Sequence, residues 1–328
     1  MKAIVCKSFG PVESLSLETI DNPLTTADSV EIDVIAAGVN FPDGLVVQGK
    51  YQVKPELPFI PGMEICGDVV TTGKNVSNIK TGDRVIASSN TFGAYAEKIC
   101  LPADRLIKIP VNIAPTEACN LLIAHGTAHH ALKQRASIKP GEHLVVLGAA
   151  GGTGLAAVQI GKAMGAHVIA AASNDEKLHL AKSQGADELI NYSNVNLKDA
   201  IREHTDGKGA NVIYDPVGGE LFDASVRAMA PNGRFLVVGF ASGTIPKFPV
   251  NLALVKETSL IGVFWGAFRA REPDVFNANM KELLHWYEKG VVSVQIDKTF
   301  TLADTSEAIS YVMNRQAKGK VAIAVKPQ

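Results

Sequence analysis

The sequence predicts an α/β chain in which a doubly wound parallel sheet is inserted into a β-rich unit built from both chain ends. Three observations lead there. From about Gly141 apolar strands alternate with helices, the pattern of a parallel sheet covered by crossover helices. The first third instead holds short strands with period-two alternation, separated by Gly, Pro, Asn and Asp, which suits a partly open barrel. The last segment, after Met280, resembles the first third more than the middle. At about 150 residues per domain, 328 residues make two units.

The elements follow in order. Lys2–Cys6, Ser29–Val34, Glu64–Val70 and Arg84–Ala87 read as strands, and Thr116–Leu132 as a helix. Leu144–Leu147 is apolar without alternation, so it is a strand buried on both faces. A glycine-rich turn comes next, then a helix from about Leu155 to Met164. Strands Val168–Ala171, Glu188–Ile190, Val212–Tyr214 and Phe235–Val238 then alternate with helices Glu176–Gln184, Leu197–Thr205 and Gly219–Met229. The tail carries helices Met280–Lys289 and Ser306–Asn314 and strands at Thr299–Phe300 and Val321–Val325.

Composition excludes several classes. Apolar residues make up 46% and charged residues 20%, too apolar for a disordered chain. Lys+Arg 32 against Asp+Glu 33 gives no electrostatic reason to seek nucleic acid or an anionic membrane. Four dispersed cysteines without a CxxC pair read as reduced thiols. The first residues are too weakly apolar for a secretory signal, and Leu144–Val158 is broken by glycines short of the ~20 residues of a membrane span. The expectation is a cytoplasmic protein with neither a nucleic-acid nor a membrane partner.

Chemistry enters at Gly148-Ala149-Ala150-Gly151-Gly152-Thr153-Gly154, between the first buried strand and the first helix of the middle unit. A pyrophosphate needs a turn without side chains and the free N–H groups of a helix start, where the dipole favours negative charge. The GxxGxxG spacing in a strand–turn–helix setting therefore points to a dinucleotide site of Rossmann type. The next strand selects the nucleotide. An NAD site has Asp or Glu at its end to accept the ribose 2′-OH. Here the strand ends Ala171-Ala172-Ser173-Asn174, and Lys177 lies one helical turn on. Hydroxyl, amide and ammonium donors favour a 2′-phosphate dianion, so the expected cofactor is NADPH.

By this point the chain resembles the zinc-independent quinone oxidoreductase (zeta-crystallin-like) branch of the medium-chain dehydrogenase/reductase superfamily. The resemblance spans the whole chain and rests on seven segments in register, with the C-terminal Gly319-Lys320-Val321 fitting as well. They are Ala36–Asp43, Pro61–Gly67, Lys80–Val85, Gly126–Ala128, the glycine turn, Asp215–Gly219 and Gly262–Gly266. It implies a Rossmann unit at 123–266 inserted in a GroES-like catalytic unit at 1–122 and 267–328. The zinc-dependent branch carries a cysteine where this chain has Val39-Asn40 and a histidine where it has Met63, so no zinc set is expected.

The resemblance also implies roles. Thr127, Phe240, Val263 and Phe264 would fix the nicotinamide, with Val217 and Gly239 among the cofactor-binding positions. Lys177 and Tyr192 would surround the adenosine phosphate, and Lys320 would approach the cofactor from the returning C-terminal segment. Asn40 is the expected hydrogen-bond donor to a substrate carbonyl, and Tyr51 a residue lining or closing the pocket. Asp43 reads as holding its loop, and Glu64 as a buried, paired carboxylate. The implied reaction is hydride transfer from NADPH, without a metal, to a quinone or other conjugated carbonyl; the proton would come from water or Tyr51. An enoyl-thioester reductase shares fold and cofactor, and an NADPH-binding sensor or structural protein with little turnover is the reading from another class. The apolar run Thr258–Phe264 at a sheet edge predicts a homodimer.

Overall fold

A computed structural model describes residues 1–89 and 92–326. Ala124–Ser293 form one compact unit, and Met1–Ile123 together with the chain from Val294 onward form the other.

The discontinuous unit opens with an antiparallel pair, β1 (Lys2–Val5) and β2 (Ser16–Thr19). β3 (Ser29–Val39) follows. Its first half buries Val30, Ile32 and Val34 while Glu31 and Asp33 face a common cation, Lys98, at 2.7 and 2.8 Å. That alternation was legible; the strand runs on to Val39 because Ile35–Val39 lacks outward polar residues and is buried almost throughout. Helix α1 (Phe41–Val47) precedes β4 (Glu64–Thr72), β5 (Arg84–Ser88), β6 (Lys98–Pro102), β7 (Leu106–Lys108) and the short α2 (Pro115–Ala118).

The expected single helix Thr116–Leu132 is interrupted. Asn120 Nδ2 donates to Thr116 O at 2.8 Å, engaging with its side chain the carbonyl that an i,i−4 backbone bond would use. The chain resumes as α3 (Leu121–His130) and widens into a π-helical turn at Ala131–Arg135.

The parallel sheet then builds through β8 (His143–Leu147), α4 (Gly152–Ala163), β9 (His167–Ala172), α5 (Asp175–Ser183), β10 (Glu188–Asn191) and α6 (Leu197–Glu203). It continues with β11 (Ala210–Asp215), α7 (Leu221–Arg227), β12 (Met229–Val237), α8 (Asn251–Lys256), β13 (Ser259–Gly262), α9 (Trp265–Arg271) and α10 (Pro273–Glu288). All five pairings are parallel, in the order β10-β9-β8-β11-β12-β13. This is the doubly wound Rossmann order, whose direction of winding reverses between the first and fourth strands, here β8 and β11.

The segment after residue 266, assigned from sequence to the β-rich unit, packs within this one up to Ser293. The side chains show why. His130 stacks on Phe268 at 3.8 Å, Gln134 and Asn279 exchange amide hydrogen bonds at 3.0 and 3.1 Å, and His129 Nε2 meets Glu282 at 2.8 Å. Phe268, Phe276, Met280 and Leu283 are buried.

The first unit is then completed by β14 (Ile296–Thr301), α11 (Thr305–Met313) and β15 (Lys320–Ala324). Its sheet order is β14-β15-β3-β4-β5-β7, with β6 on β3. β15 runs antiparallel to β3 with Val321 opposite Val39, and β3 antiparallel to β4 with Gly38 opposite Glu64. These two registers bring Asn40, Glu64 and Lys320, far apart in sequence, to one corner of the sheet.

Candidate active site

In the parallel-sheet unit the glycine turn sits where its spacing placed it. Helix α4 begins at Gly152, one turn earlier than expected, so the glycines form its first turn. Gly148 has φ +60°, and a Cβ there would lie 2.8 Å from Val217 Cγ2. A Cβ on Gly154 would lie 2.2 Å from Gly148 O and 2.9 Å from Ala149 Cα, so only hydrogen fits. Ala150 is buried, and Gly151 at the N-cap offers no side chain to the helix start. The first N–H groups of α4 thus receive no side-chain cap from Gly151, the condition under which a helix start can hold an anion. The Thr153 hydroxyl is tied to Tyr214 OH at 2.5 Å.

The other expected cofactor residues of this unit follow the C-terminal ends of parallel strands. Ser173 and Asn174 come after β9, Val217 after β11, Gly239 and Phe240 after β12, and Val263 and Phe264 after β13. That edge, beside the reversal of strand order, is where open α/β sheets bind ligands. Asp215 at the end of β11 shapes it: its Oδ1 accepts from Val217 N and Gly218 N, both at 2.8 Å. Burial pushes the Asp215 carboxyl above its usual range, against those two hydrogen bonds.

Asn174 caps α5, accepting from Lys177 N at 2.9 Å. Asp175 accepts from Asn191 Nδ2 at 2.7 Å. Tyr192 N donates to Ala172 O at 3.2 Å, so Lys177 and Tyr192 both stand at the end of β9. Thr127 lies on α3, next to Gly126, where a Cβ would strike the Trp265 ring at 2.8 Å.

Lys320 opens β15, on the returning C-terminal segment. It belongs to the discontinuous unit, where its ammonium donates to Asn40 Oδ1 at 2.6 Å, Glu64 Oε1 at 3.0 Å and Val39 O at 3.3 Å. Three acceptors match its three hydrogens. Glu64 Oε1 also accepts from Asn40 Nδ2 at 2.9 Å, and Oε2 from Ile123 N at 3.0 Å. The Lys320 and Glu64 side chains are 6% and 0% exposed, so this is a dry ion pair whose hydrogen bonds are filled, as a buried pair requires. Gly38 makes room for it, since a Cβ there would lie 2.5 Å from Glu64 Oε1.

Asp43 holds the loop, as read from sequence. Its Oδ2 accepts from Asn40 N at 2.8 Å and from Tyr95 OH at 2.7 Å. Its Oδ1 is buried with no partner among the described residues. Burial, reinforced by the charge of Glu64, pushes its carboxyl up to about 7 despite those two hydrogen bonds and the Lys320 charge. Tyr51 is half-buried, and burial and the Asp43 charge raise its hydroxyl. Tyr95 escaped the sequence reading: it carries no motif, and only the fold brings it to Asp43, 52 positions away.

A glycine-rich turn at the reversal of a doubly wound parallel sheet is the arrangement of a dinucleotide-dependent oxidoreductase. Two family models match: "Alcohol dehydrogenase GroES-like domain" over residues 26–111 and "Zinc-binding dehydrogenase" over 152–286. The quinone oxidoreductase-like protein 2 homolog of Nematostella vectensis is 39% identical over 99% of this chain and 89% of its own. Among solved structures, the Pseudomonas syringae quinone oxidoreductase is similar at TM-score 0.93 and 30% identity, covering 99% of each chain. The Escherichia coli quinone oxidoreductase, solved in complex with NADPH, matches at TM-score 0.91 and 27% identity over 99% of this chain and 100% of its own. The chain belongs to the quinone oxidoreductase family of the medium-chain dehydrogenases/reductases.

Zinc, which the second family model names, does not fit this donor set. Val39, Asn40 and Met63 offer neither thiolate nor imidazole, and the Lys320 ammonium already occupies the acceptors beside them; a second cation there would be repelled. Among the described residues no group of three or more His, Cys, Asp or Glu side chains is placed to hold a metal.

Proposed function

We propose that this oxidoreductase uses NADPH to reduce a quinone or another conjugated carbonyl without a metal. The observation that carries the reading is the turn at Gly148–Gly154, where the N-cap Gly151 offers no side chain to the start of α4 and the Thr153 hydroxyl of its first turn is drawn to Tyr214. The NADPH pyrophosphate would take the N–H groups of Gly152, Thr153 and Gly154. The β9 end supports the phosphorylated cofactor, with Ser173, Asn174, Lys177 and Tyr192 and no carboxylate on the strand itself. The complex of the Escherichia coli relative with NADPH is consistent with it. Thr127, Val217, Gly239, Phe240, Val263 and Phe264 would seat the nicotinamide end.

NADPH, when bound, supplies a hydride. Asn40 donates an amide hydrogen bond to the substrate oxygen as negative charge gathers there. Tyr51 lines the substrate pocket and is one source of the proton. The protein works as a homodimer in the cytoplasm, paired through the exposed edge strand β13, where Leu260 and the following Phe264 are solvent-facing.

Mixing the purified protein with NADPH and 1,4-naphthoquinone, an enone or an enoyl thioester, and following nicotinamide absorbance, tests the reading. Turnover with quinone or enone supports it. Turnover with the thioester alone moves the substrate class, and none with any acceptor leaves a cofactor-binding protein.

A further inference from the structure

The buried cluster says more about the reaction than that Asn40 is present. An asparagine amide has an accepting end and a donating end, and turning it over exchanges them. Here neither end is free to exchange. Oδ1 faces an ammonium, which can only donate, at 2.6 Å. Nδ2 faces a carboxylate oxygen, which can only accept, at 2.9 Å. A flip would set N–H against N–H and C=O against carboxylate, losing two charge-assisted hydrogen bonds and creating two repulsions. The ammonium and carboxylate are themselves locked together at 3.0 Å and anchored by Val39 O and Ile123 N. One Nδ2 hydrogen is spent on Glu64; the other has no acceptor among the described residues.

We propose that Lys320 is a positioning residue that acts through Asn40. Bound to Oδ1, it keeps Nδ2 as the donating end of the amide and draws electron density from the N–H that would meet the substrate. The inference rests on the reading of Asn40 as the donor to the substrate oxygen. It assigns to Lys320 a role different from the cofactor contact that the family resemblance implies. A donor fixed in this way favours an oxygen that gains negative charge, such as a quinone or enone carbonyl receiving hydride on its conjugated system. It cannot itself accept the proton that a hydroxyl must give up. A polarised hydrogen bond in a dry site is stronger than the same bond in water.

The test is a double-mutant cycle of Asn40→Ala and Lys320→Met, with kcat, KM for the acceptor, Kd for NADPH and Tm measured on all four proteins. Removing an oxyanion donor costs roughly 100-fold in kcat, so Asn40→Ala should lose about that factor. Lys320→Met should lose about 10-fold in kcat, since a charged hydrogen-bond partner is removed. Its KM and its Kd for NADPH should stay within about 2-fold. In the Asn40→Ala background, Lys320→Met should change kcat by less than about 2-fold, because coupled residues are non-additive.

Factors that multiply would show that Lys320 does not act through Asn40. A raised Kd for NADPH would make it a cofactor ligand instead. Should Lys320→Met fail to fold with Glu64 left unpaired, Glu64→Gln/Lys320→Met removes both charges; its kcat should still be low, and parental kcat would overturn the proposal. Independently of turnover, isotope-labelled asparagine should show two well-separated Asn40 side-chain amide signals in the parent that shift or merge in Lys320→Met. Identical spectra would also overturn it. A parent without quinone or enone turnover defeats the functional reading, whereas an active parent with multiplying factors defeats only the role of Lys320.

Discussion

The hydroxyls of Tyr214 and Thr153 share a 2.5 Å hydrogen bond that ties the first turn of α4 to β11, across the point where the strand order reverses. Tyr214 is fully buried, so its hydroxyl has no bulk water to turn to. Tyr214→Phe should cost about 1 kcal/mol, read as a fall in Tm of about 2 °C, with a measurable rise in Kd for NADPH. Unchanged Tm and unchanged affinity together would show that the bond does not hold the turn.

Gly154→Ala places a methyl group within 2.9 Å of backbone atoms of residues 148 and 149, which cannot yield without deforming the turn. NADPH affinity should fall by at least about 10-fold, equivalent to roughly 1.4 kcal/mol. Gly10→Ala, where a Cβ meets nothing within 4 Å, is the control and should be silent. Isothermal titration of both variants decides the matter; equal affinity in the two would remove the turn from the cofactor site.

Lys177→Ala should weaken NADPH about 10-fold, the cost of a hydrogen bond to a charged group. NADH binding should change by less than about 2-fold. Raising salt should narrow the difference between the cofactors in the parent more than in the variant. If NADH and NADPH suffer alike, Lys177 does not read the 2′-phosphate.

Two buried groups give opposite pH dependences of stability. Burial raises the Asp43 carboxyl from 3.8 to about 7, so between those values the folded chain keeps a proton that the unfolded chain releases. Stability from this group falls as pH rises through that window and levels off above it. Burial lowers His129 from 6.5 to about 4, outweighing the Glu282 contact, so the unfolded chain takes up a proton that the folded one refuses. Stability from His129 therefore rises with pH across about 4 to 6.5. Denaturant titrations across the window should show a steeper rise with pH in Asp43→Asn than in the parent, and a net shift toward falling stability in His129→Gln. Matching profiles in the two variants would refute the assignment.

Among the described residues edge strand β13 pairs only with β12, and Leu260 on it is 43% exposed. Leu260→Lys should convert the proposed homodimer to a monomer by introducing a charge on a strand that pairs with its copy. Light scattering behind a sizing column reads the mass; a parent that is already monomeric removes this mode of assembly.

Local patterns carried much of this. The run Leu144–Leu147 without alternation, the glycines at 148, 151 and 154 and the strand–helix rhythm announced a parallel sheet with its ligand turn, because period and turn chemistry are properties of neighbouring residues. The lack of a carboxylate at Ala172-Ser173-Asn174 was equally local. The partner of Lys320 was not. The family resemblance implied only that Lys320 approaches the cofactor. The lysine becomes the keeper of an asparagine amide only because β15 returns antiparallel to β3 and places residue 321 opposite residue 39. Tyr95 on Asp43 and the packing of α9 and α10 against the π-helical turn have the same origin. Strand register and burial are set by the packing of distant segments, and it is burial in this dry corner that turns an ordinary Asn, Glu and Lys into a fixed, polarised donor.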